Sequence, residues 1–370
     1  MGHRGVPPRS RARLSCGGTV NVDPTETEEA RALRESVRAL LAKRSDVRAA
    51  MESPLGYDDK LWSTLCEQIG VAALAVPDEY GGVGASLAEL CVVQEELGRT
   101  LTPAPMLGSA VLAAQALLAT GNDEACARLL PGIAAGTSIA TLAWTGADGR
   151  WSPAHVAFTA SNSTVDGIAH YVLDAGNADV VLALAGTSDG IGLYEVTGAH
   201  RSLAPAMDPT RRFGVVECAG APATRLDKGG FPLARVRDVA VIALAAEQYG
   251  AASRALELTV DYTKQRHQFG RPIGSFQALK HRMADVFVHV ESARSALYAA
   301  IVAALGDAPS LPDDAATARV VCTEALEHAA AEMIQLHGGI AITWEHDAHL
   351  YFKRAHGTAQ LFGPAAAYLG

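Results

Sequence analysis

The stretch RHQFGRPIGSFQALKH, residues 266–281, combines a basic turn with the start of a helix. Arg266 and Phe269 precede a Pro-Ile-Gly turn, and a helix is predicted to begin near Ser275, with Gln277 in its first turn. Arginine pairs well with phosphate, and a helix N-terminus adds positive potential. The pattern therefore suits a planar, anionic ligand, although an ordinary helical corner with solvated arginines would look the same.

A second informative stretch is IQLHGGIAITWEHDAHLYFKRA, residues 334–355. A long predicted helix ends at Gly338-Gly339, which is a natural C-terminal cap. The three histidines and Asp347 invite a metal-site interpretation, but their spacing matches no usual ligand set. We therefore interpret the stretch as polar helix faces with a close backbone approach at the glycines, and we predict no metal.

The chain divides into three regions that differ in their sequence pattern, and both stretches lie in the third. Residues 23–137 have amphipathic helical spacing, residues 138–226 hold short β-rich runs between turn residues, and residues 227–370 are helical again. The long helices predicted in the last region cover 237–265, 275–305 and 312–337. We predict an α+β fold with a small antiparallel barrel or sandwich between helical regions, where a cofactor could bind between the layers.

The composition indicates a large globular protein. The chain has 370 residues, 49% of them apolar, and a net charge of −9 without a Lys/Arg-rich run in its body, which argues against nucleic acid as a partner. Its longest apolar runs fall short of the roughly 18 residues of a membrane span. The six cysteines are scattered, as in a reduced intracellular protein. Residues 1–22 have no signal-peptide core, and we predict a disordered extension there.

The two quoted stretches together resemble the acyl-CoA dehydrogenase family. Arg-x-x-Phe-Gly leading to Phe-Gln, and Gln-x-x-Gly-Gly about seventy residues later, are that family's flavin-binding signatures. VPDEYGGVGAS at 76–86 is similar to the family's N-terminal helical domain, and SIATLAWTGADGRW at 138–151 is similar to its flavin-contacting strand. The resemblance covers residues 24–364. It implies a helical N-terminal domain, a central antiparallel β-barrel domain and a C-terminal four-helix bundle, with FAD in the cleft between them.

The resemblance also implies which residues bind FAD, usually at a subunit interface of a dimer or tetramer. Arg266 and Phe269 would contact the pyrophosphate and adenine of FAD, typically the FAD of the neighbouring subunit, and Gln277 would lie on the same FAD. Gln335, Gly338 and Gly339 would hold the adenosine side. Thr145 would sit at the flavin ring. The family usually reads Thr-Glu-Pro at this place, whereas this chain has Thr145-Gly146-Ala147.

The family's reaction is α,β-dehydrogenation of an acyl-CoA thioester, in which a carboxylate removes the α-proton and the flavin accepts the β-hydride. In the commonest members the base is a glutamate before a glycine near the C-terminus, and that position is Phe362 here. A second known position lies 26 residues before Arg266, and it is Ala240. Neither side chain can accept a proton.

Glu247 is the remaining candidate for the base. It ends a run of eight apolar residues and lies seven residues, about two helical turns, after Ala240, so it projects from nearly the same helix face. We predict that Glu247 is the catalytic base, facing the flavin cleft with no arginine to neutralise it. The alternative is an ion pair, with Arg254 or with a partner across the bundle.

The resemblance therefore predicts a FAD-dependent acyl-CoA dehydrogenase of lipid metabolism or β-oxidation. It would work in the cytoplasm as a homodimer, homotetramer or heterotetramer with a related subunit, and would pass its electrons to an electron-transfer flavoprotein. Two alternatives remain open: a non-catalytic partner subunit of a hetero-oligomeric acyl-CoA dehydrogenase, and a flavin monooxygenase of the same fold. A helical scaffold would leave the paired flavin motifs unexplained.

Overall fold

The computed structural model describes residues 27–152 and 154–369, so the predicted extension at 1–22 lies outside the described residues. The N-terminal region is helical. Its helices are α1 (Glu28–Arg44), α2 (Val47–Glu52), α3 (Asp59–Thr64), α4 (Leu87–Thr100), α5 (Ala114–Leu118) and α6 (Asp123–Ala134). The hydroxyl of Thr27 caps α1, and Ser86 with Glu89 forms a capping box on α4. These caps fix where the two helices begin.

The central region is a seven-stranded sheet that closes on itself. Its strands are β1 (Ala140–Ala143), β2 (Phe158–Ser161), β3 (Thr164–Leu173), β4 (Val180–Thr187), β5 (Gly190–Val196), β6 (His200–Ala204) and β7 (Phe213–Arg225). The order is β1-β4-β2-β3-β7-β5, β6 pairs with β7, and a further β4–β5 pairing completes the ring. The predicted barrel is confirmed.

The barrel is not entirely antiparallel, however. Strands β1 and β2 both run parallel to β4, β1 beside its first half and β2 beside its end. The expectation of an antiparallel barrel is wrong for these two pairs. The physical reason is that β1 and β2 lie one after the other along the edge of β4 that β5 does not occupy, so both meet β4 in the same direction.

The C-terminal region is a bundle of four helices, as the resemblance implies. They are α7 (Leu233–Gln265), α8 (Gln277–Leu305), α9 (Leu311–His337) and α10 (Ala348–Gln360). A short hairpin connects α7 to α8, and its strands, β8 (His267–Gln268) and β9 (Arg271–Pro272), have two residues each. The apolar run 239–246 of α7 is buried throughout. The domain boundaries 23–137, 138–226 and 227–370 remain a prediction.

One helix of the described chain, α8, is long and apolar enough by composition to cross a membrane. Reading apolar runs alone does not detect it. About 39% of its most apolar window is buried in the fold, and the core helix of a bundle passes the same test of length and hydropathy. This helix is therefore weak support for a membrane span.

Helices α4 and α7 cross at two glycines. A Cβ atom at Gly98 would lie 2.1 Å from the carbonyl oxygen of Glu247, and a Cβ atom at Gly250 would lie 2.0 Å from the carbonyl oxygen of Glu95. No side chain fits at either distance. The crossing therefore joins the N-terminal helices to the middle of α7, next to the candidate base.

Gly250→Ala is expected to lower the free energy of unfolding by about 2–4 kcal/mol, because the methyl group must push two packed backbones apart. Urea unfolding measures the loss. Gly306→Ala is the matched control, since its Cβ would lie 3.5 Å from the nearest atom, the carbonyl oxygen of Val302. Equal stability of Gly250→Ala and the wild type would contradict the close crossing.

Candidate flavin site

A cleft of about 510 Å³ lies between the barrel and α10. Three parts of the chain line it: the loop 148–151 with Tyr171, the segment 204–207 with Phe213, and His356 on α10 with its neighbours Gly357 and Gln360. The lining is mainly apolar, and the volume is in the range of cofactor sites. The cleft is where the resemblance places the flavin ring, and its size and lining fit one.

An aromatic cluster fills the space beside this cleft. The ring centroids of Trp144 and Trp151 are 5.0 Å apart, and the Phe362 ring lies 5.2 Å from Trp151 and 6.2 Å from Trp144. Phe362 is 1% exposed and has a φ of 61°. The position at which the family's commonest base stands is thus occupied by a buried aromatic packing residue.

Thr145 does not present its hydroxyl to the cleft. The residue is fully buried, and Thr145 Oγ1 donates to the carbonyl oxygen of Arg150 at 2.6 Å. The turn that follows closes on itself, since the amide of Gly149 donates to the carbonyl of Gly146. The hydroxyl is therefore engaged within its own turn, and the placement of Thr145 at the flavin ring remains a prediction. Asp148 and Gly149, farther along the same turn, line the cleft instead.

The carboxylate of Glu247 is buried and carries two arginine partners. Arg211 Nη2 donates to both of its oxygens at 2.5 and 2.6 Å, and Arg354 Nη1 donates to Oε1 at 2.5 Å. Arg354 also donates from Nε to Asp208 Oδ2 at 2.7 Å. Arg254, the partner considered from the sequence, pairs with Glu257 instead. Nothing in the local sequence around Glu247 points to Arg211, Arg354 or Asp208 as its neighbours.

These partners change the acid–base character of Glu247. Burial alone raises the pKa of the carboxyl group, but the charges and hydrogen bonds of Arg211 and Arg354 outweigh burial and leave the pKa below its usual value. A general base for an α-proton needs the opposite shift. The expectation that no arginine neutralises Glu247 is therefore wrong, and its role as the base remains a prediction with this geometry against it.

The space around Glu247 is small. The cavity that Glu247 shares with Tyr57, Asp174 and Arg211 has a volume of about 30 Å³, which is room for about two water molecules. Burial raises the pKa of Asp174 to about 7, with Arg211 acting in the opposite direction. A cavity of this size is too small to hold an acyl thioester.

Asp174→Asn is expected to stabilise the protein more at pH 8 than at pH 5. The unfolded pKa of an aspartate is about 3.9, so the native state keeps a proton that the unfolded chain has lost. Stability then falls as pH rises from about 4 to about 7. The difference in unfolding free energy between variant and wild type should grow by about 1–3 kcal/mol over this range. Urea unfolding at both pH values measures it.

The control is Asp307→Asn, which removes a carboxylate whose side chain is 85% exposed. The difference in unfolding free energy between Asp307→Asn and the wild type should change much less with pH. A difference between Asp174→Asn and the wild type that is the same at pH 5 and pH 8 would contradict the raised pKa.

The predicted adenosine-side and pyrophosphate residues lie on the surface. Arg266, Gln277, Gln335, Gly338 and Gly339 are all exposed, and the Phe269 side chain is 91% exposed. Tyr262 connects the two signatures, because its hydroxyl donates to the carbonyl of His337 at 3.2 Å and its ring stacks on the His337 ring at 4.2 Å. The structure thus brings the two signatures to one edge of the bundle, accessible to another molecule.

The histidines of the second stretch pack as aromatic rings. The His337 ring lies 4.5 Å from the His346 ring, and the His349 ring lies 4.5 Å from the Trp344 ring. Burial lowers the pKa of His337, which favours the neutral ring. Within residues 27–152 and 154–369, no group of three or more His, Cys, Asp or Glu side chains could hold a metal ion.

Sequence comparison identifies the class of protein. The family description "Acyl-CoA dehydrogenase, N-terminal domain" matches residues 27–137, and "Acyl-CoA dehydrogenase, C-terminal domain" matches residues 235–367. The chain belongs to the acyl-CoA dehydrogenase family, whose members are FAD-containing oxidoreductases. Among particular proteins, acyl-CoA dehydrogenase IpdE2 of Mycobacterium tuberculosis is 47% identical over 340 residues, which cover 91% of this chain and 94% of that protein.

Two solved structures share the fold. The Tcur3481-Tcur3483 steroid ACAD variant is 30% identical, with a TM-score of 0.84, and the match covers 92% of this chain and 96% of that one. The ChsE4-ChsE5 complex from Mycobacterium tuberculosis contains a chain that is 28% identical, with a TM-score of 0.85, over 94% of this chain and 97% of that one. Both names join two components.

Proposed function

We propose that this chain is a FAD-binding subunit of a hetero-oligomeric acyl-CoA dehydrogenase, and that a related partner subunit carries the catalytic base. One observation carries the proposal: a flavin-sized cleft is present, yet none of the three candidate base positions offers a free carboxylate. Phe362 is a packing residue, Ala240 is apolar and buried, and Glu247 is paired with two arginines.

The reaction proposed for the complex is α,β-dehydrogenation of an acyl-CoA thioester. FAD, when bound, supplies the hydride acceptor. This chain would position the flavin and would not transfer the proton. The cleft between α10 and the barrel would shield one face of a flavin ring from water, and the apolar lining would favour the uncharged ring system. Asp148, the one carboxylate among the lining residues of this cleft, is exposed and pairs with Arg150.

The exposed signatures support binding across a subunit interface. Arg266 and Phe269 face solvent in the isolated chain, and the Phe269 side chain is 91% exposed although its ring meets that of Phe276 edge to face. An exposed arginine beside an exposed aromatic ring suits the pyrophosphate and adenine of a cofactor whose ring lies in another subunit. Helix α8 also exposes Phe287 and Val288, which suits a protein contact.

The paired names of the solved relatives support a second, related subunit. Each describes two components, and one is called a steroid enzyme. We infer that this chain acts in lipid catabolism in the cytoplasm, with a steroid-derived acyl-CoA as the first substrate to test and an electron-transfer flavoprotein as the electron acceptor.

Anaerobic flavin bleaching tests the proposal. The chain alone should not bleach with any acyl-CoA of a panel of straight-chain, branched and steroid-derived thioesters. The chain co-expressed with a related subunit that has Glu-Gly at the position of Phe362-Gly363 should bleach. Changing that partner glutamate to glutamine should abolish bleaching of the complex, with FAD retained. Bleaching of the chain alone, at a rate similar to that of the complex, would contradict a base on the partner.

A further inference from the structure

Two neighbouring side chains on α7 contact the walls of the flavin cleft: Glu247 contacts both walls, and Gln248 contacts one of them. One wall is α10, and the other is the segment 204–213 between β6 and β7. We propose that Glu247 and Gln248 are positioning residues that hold these two walls in register, and that the charge of Glu247 serves flavin binding instead of proton abstraction. This inference rests on the flavin cleft of the proposed function, and does not depend on which subunit carries the base.

Glu247 joins the two walls directly. Its carboxylate accepts hydrogen bonds from Arg354 on α10 and from Arg211, which lies in the second wall. Arg354 then reaches the second wall itself, because Nη2 donates to the carbonyl oxygen of Thr210 at 3.1 Å and Nε donates to Asp208. Gly357, on the next turn of α10, packs against Asp208 Cβ. The ion-pair network therefore connects the two walls directly.

Gln248 sets the end of the α10 wall through a second arginine. Its amide nitrogen donates to Thr358 Oγ1 at 3.2 Å, and its amide oxygen accepts from Thr323 at 3.2 Å and from Arg319 at 3.5 Å. Arg319 is fully buried, and its Nη2 contacts four carbonyl oxygens at 2.8–3.0 Å. They belong to Thr358, Ala359, Leu361 and Gly363. Leu361 and Pro364 line the cleft, so this chain of contacts fixes its rim.

The physical chemistry favours a positioning role. A buried ion pair adds little net stability over an apolar core, but it specifies one arrangement, since any other leaves a charge unpaired. Arg354 and Arg319 each contact more than one element, and Arg211 contacts α7 through Glu247. The network therefore defines the distance between α10 and the second wall, which is the width available to a planar ring.

The test is FAD binding by Glu247→Gln without any acyl-CoA. The full-length protein is purified in its native oligomeric state. The measurements are the affinity for FAD, the visible flavin spectrum and the melting temperature. We expect FAD to bind at least tenfold more weakly and the flavin absorption bands to shift. Asp227→Asn is the matched control: Asp227 is a buried carboxylate paired with Arg225 at 3.0 Å, away from the cleft. It should lower the melting temperature and leave FAD binding unchanged.

The double variant Glu247→Gln/Arg211→Gln, which leaves Arg354 paired with Asp208, separates positioning from general destabilisation. It replaces the charged pair by a neutral pair of hydrogen-bonding side chains, so FAD affinity should recover relative to Glu247→Gln. Wild-type FAD affinity and a wild-type flavin spectrum in Glu247→Gln would overturn the inference. A wild-type protein that binds no FAD would overturn it as well. Bleaching by the chain alone would count only against the partner's base.

Discussion

Arg354→Met should lower the free energy of unfolding by about 3–5 kcal/mol. The guanidinium is 3% exposed and contacts Asp208, Thr210 and Glu247 at once. Methionine keeps the apolar contacts of the stem but leaves Asp208 buried and without its charged partner. The cost of an uncompensated buried carboxylate exceeds that of losing an ordinary hydrogen bond. Urea unfolding at pH 7 measures the effect.

Arg48→Met is the control for that prediction. Arg48 forms an ion pair with Asp347, just before α10, but the two side chains are 38% and 56% exposed. An exposed pair contributes about 0–1 kcal/mol, so this variant should unfold close to the wild type. If the two variants lost the same stability, the buried network would not be the determinant that the contacts indicate.

Arg319→Met should have the second-largest effect, about 3 kcal/mol or more. The four carbonyl oxygens that contact Nη2 lie at the end of α10 and in the loop after it. Each buried carbonyl left without a donor costs about 1–3 kcal/mol, and the loop holds Phe362 at a φ of 61°, which a non-glycine residue adopts only when its surroundings require it. The loop should loosen before the rest of the bundle.

Hydrogen exchange locates that loosening. Amides of residues 361–363 should exchange much faster in Arg319→Met, while those of α8 keep wild-type rates. Arg319→Lys supplies the control, because an ammonium keeps the charge but reaches fewer carbonyls. The exchange rates of residues 361–363 in this variant should lie between those of the wild type and those of Arg319→Met. Uniform acceleration over the whole bundle would indicate global destabilisation and contradict a local role.

Much of the fold could be predicted from the sequence because its determinants are local. The helix predicted at 312–337 is observed at Leu311–His337, since its end depends on the adjacent Gly338-Gly339. The turn after Arg266 and the glycine pair identified the family by residue type and spacing. The direction of β1 and β2 could not be predicted in this way, because it depends on how a distant strand, β4, pairs with both.

The environment of Glu247 was beyond local reasoning. Its partners lie 36 and 107 residues away in the chain, at Arg211 and Arg354. An apolar run before a glutamate looks the same whether the carboxylate is a base or one end of an ion pair. Arg354 lay within the second quoted stretch, but only the three-dimensional packing of α10 on α7 shows which acid it meets. The burial of Thr145 could not be predicted for a similar reason, since it depends on how the Gly-Ala turn folds.

The double glycine crossing of α4 and α7 restricts how this protein can move. Gly98 rests on the backbone of Glu247 and Gly250 rests on the backbone of Glu95, so each helix blocks the other from sliding along its axis. Shear between packed helices is one of the two common modes of closure around a ligand, and it is unavailable at this contact. Closure around a cofactor or substrate should therefore leave α4 and α7 fixed to each other and move the parts of the chain that pack around them.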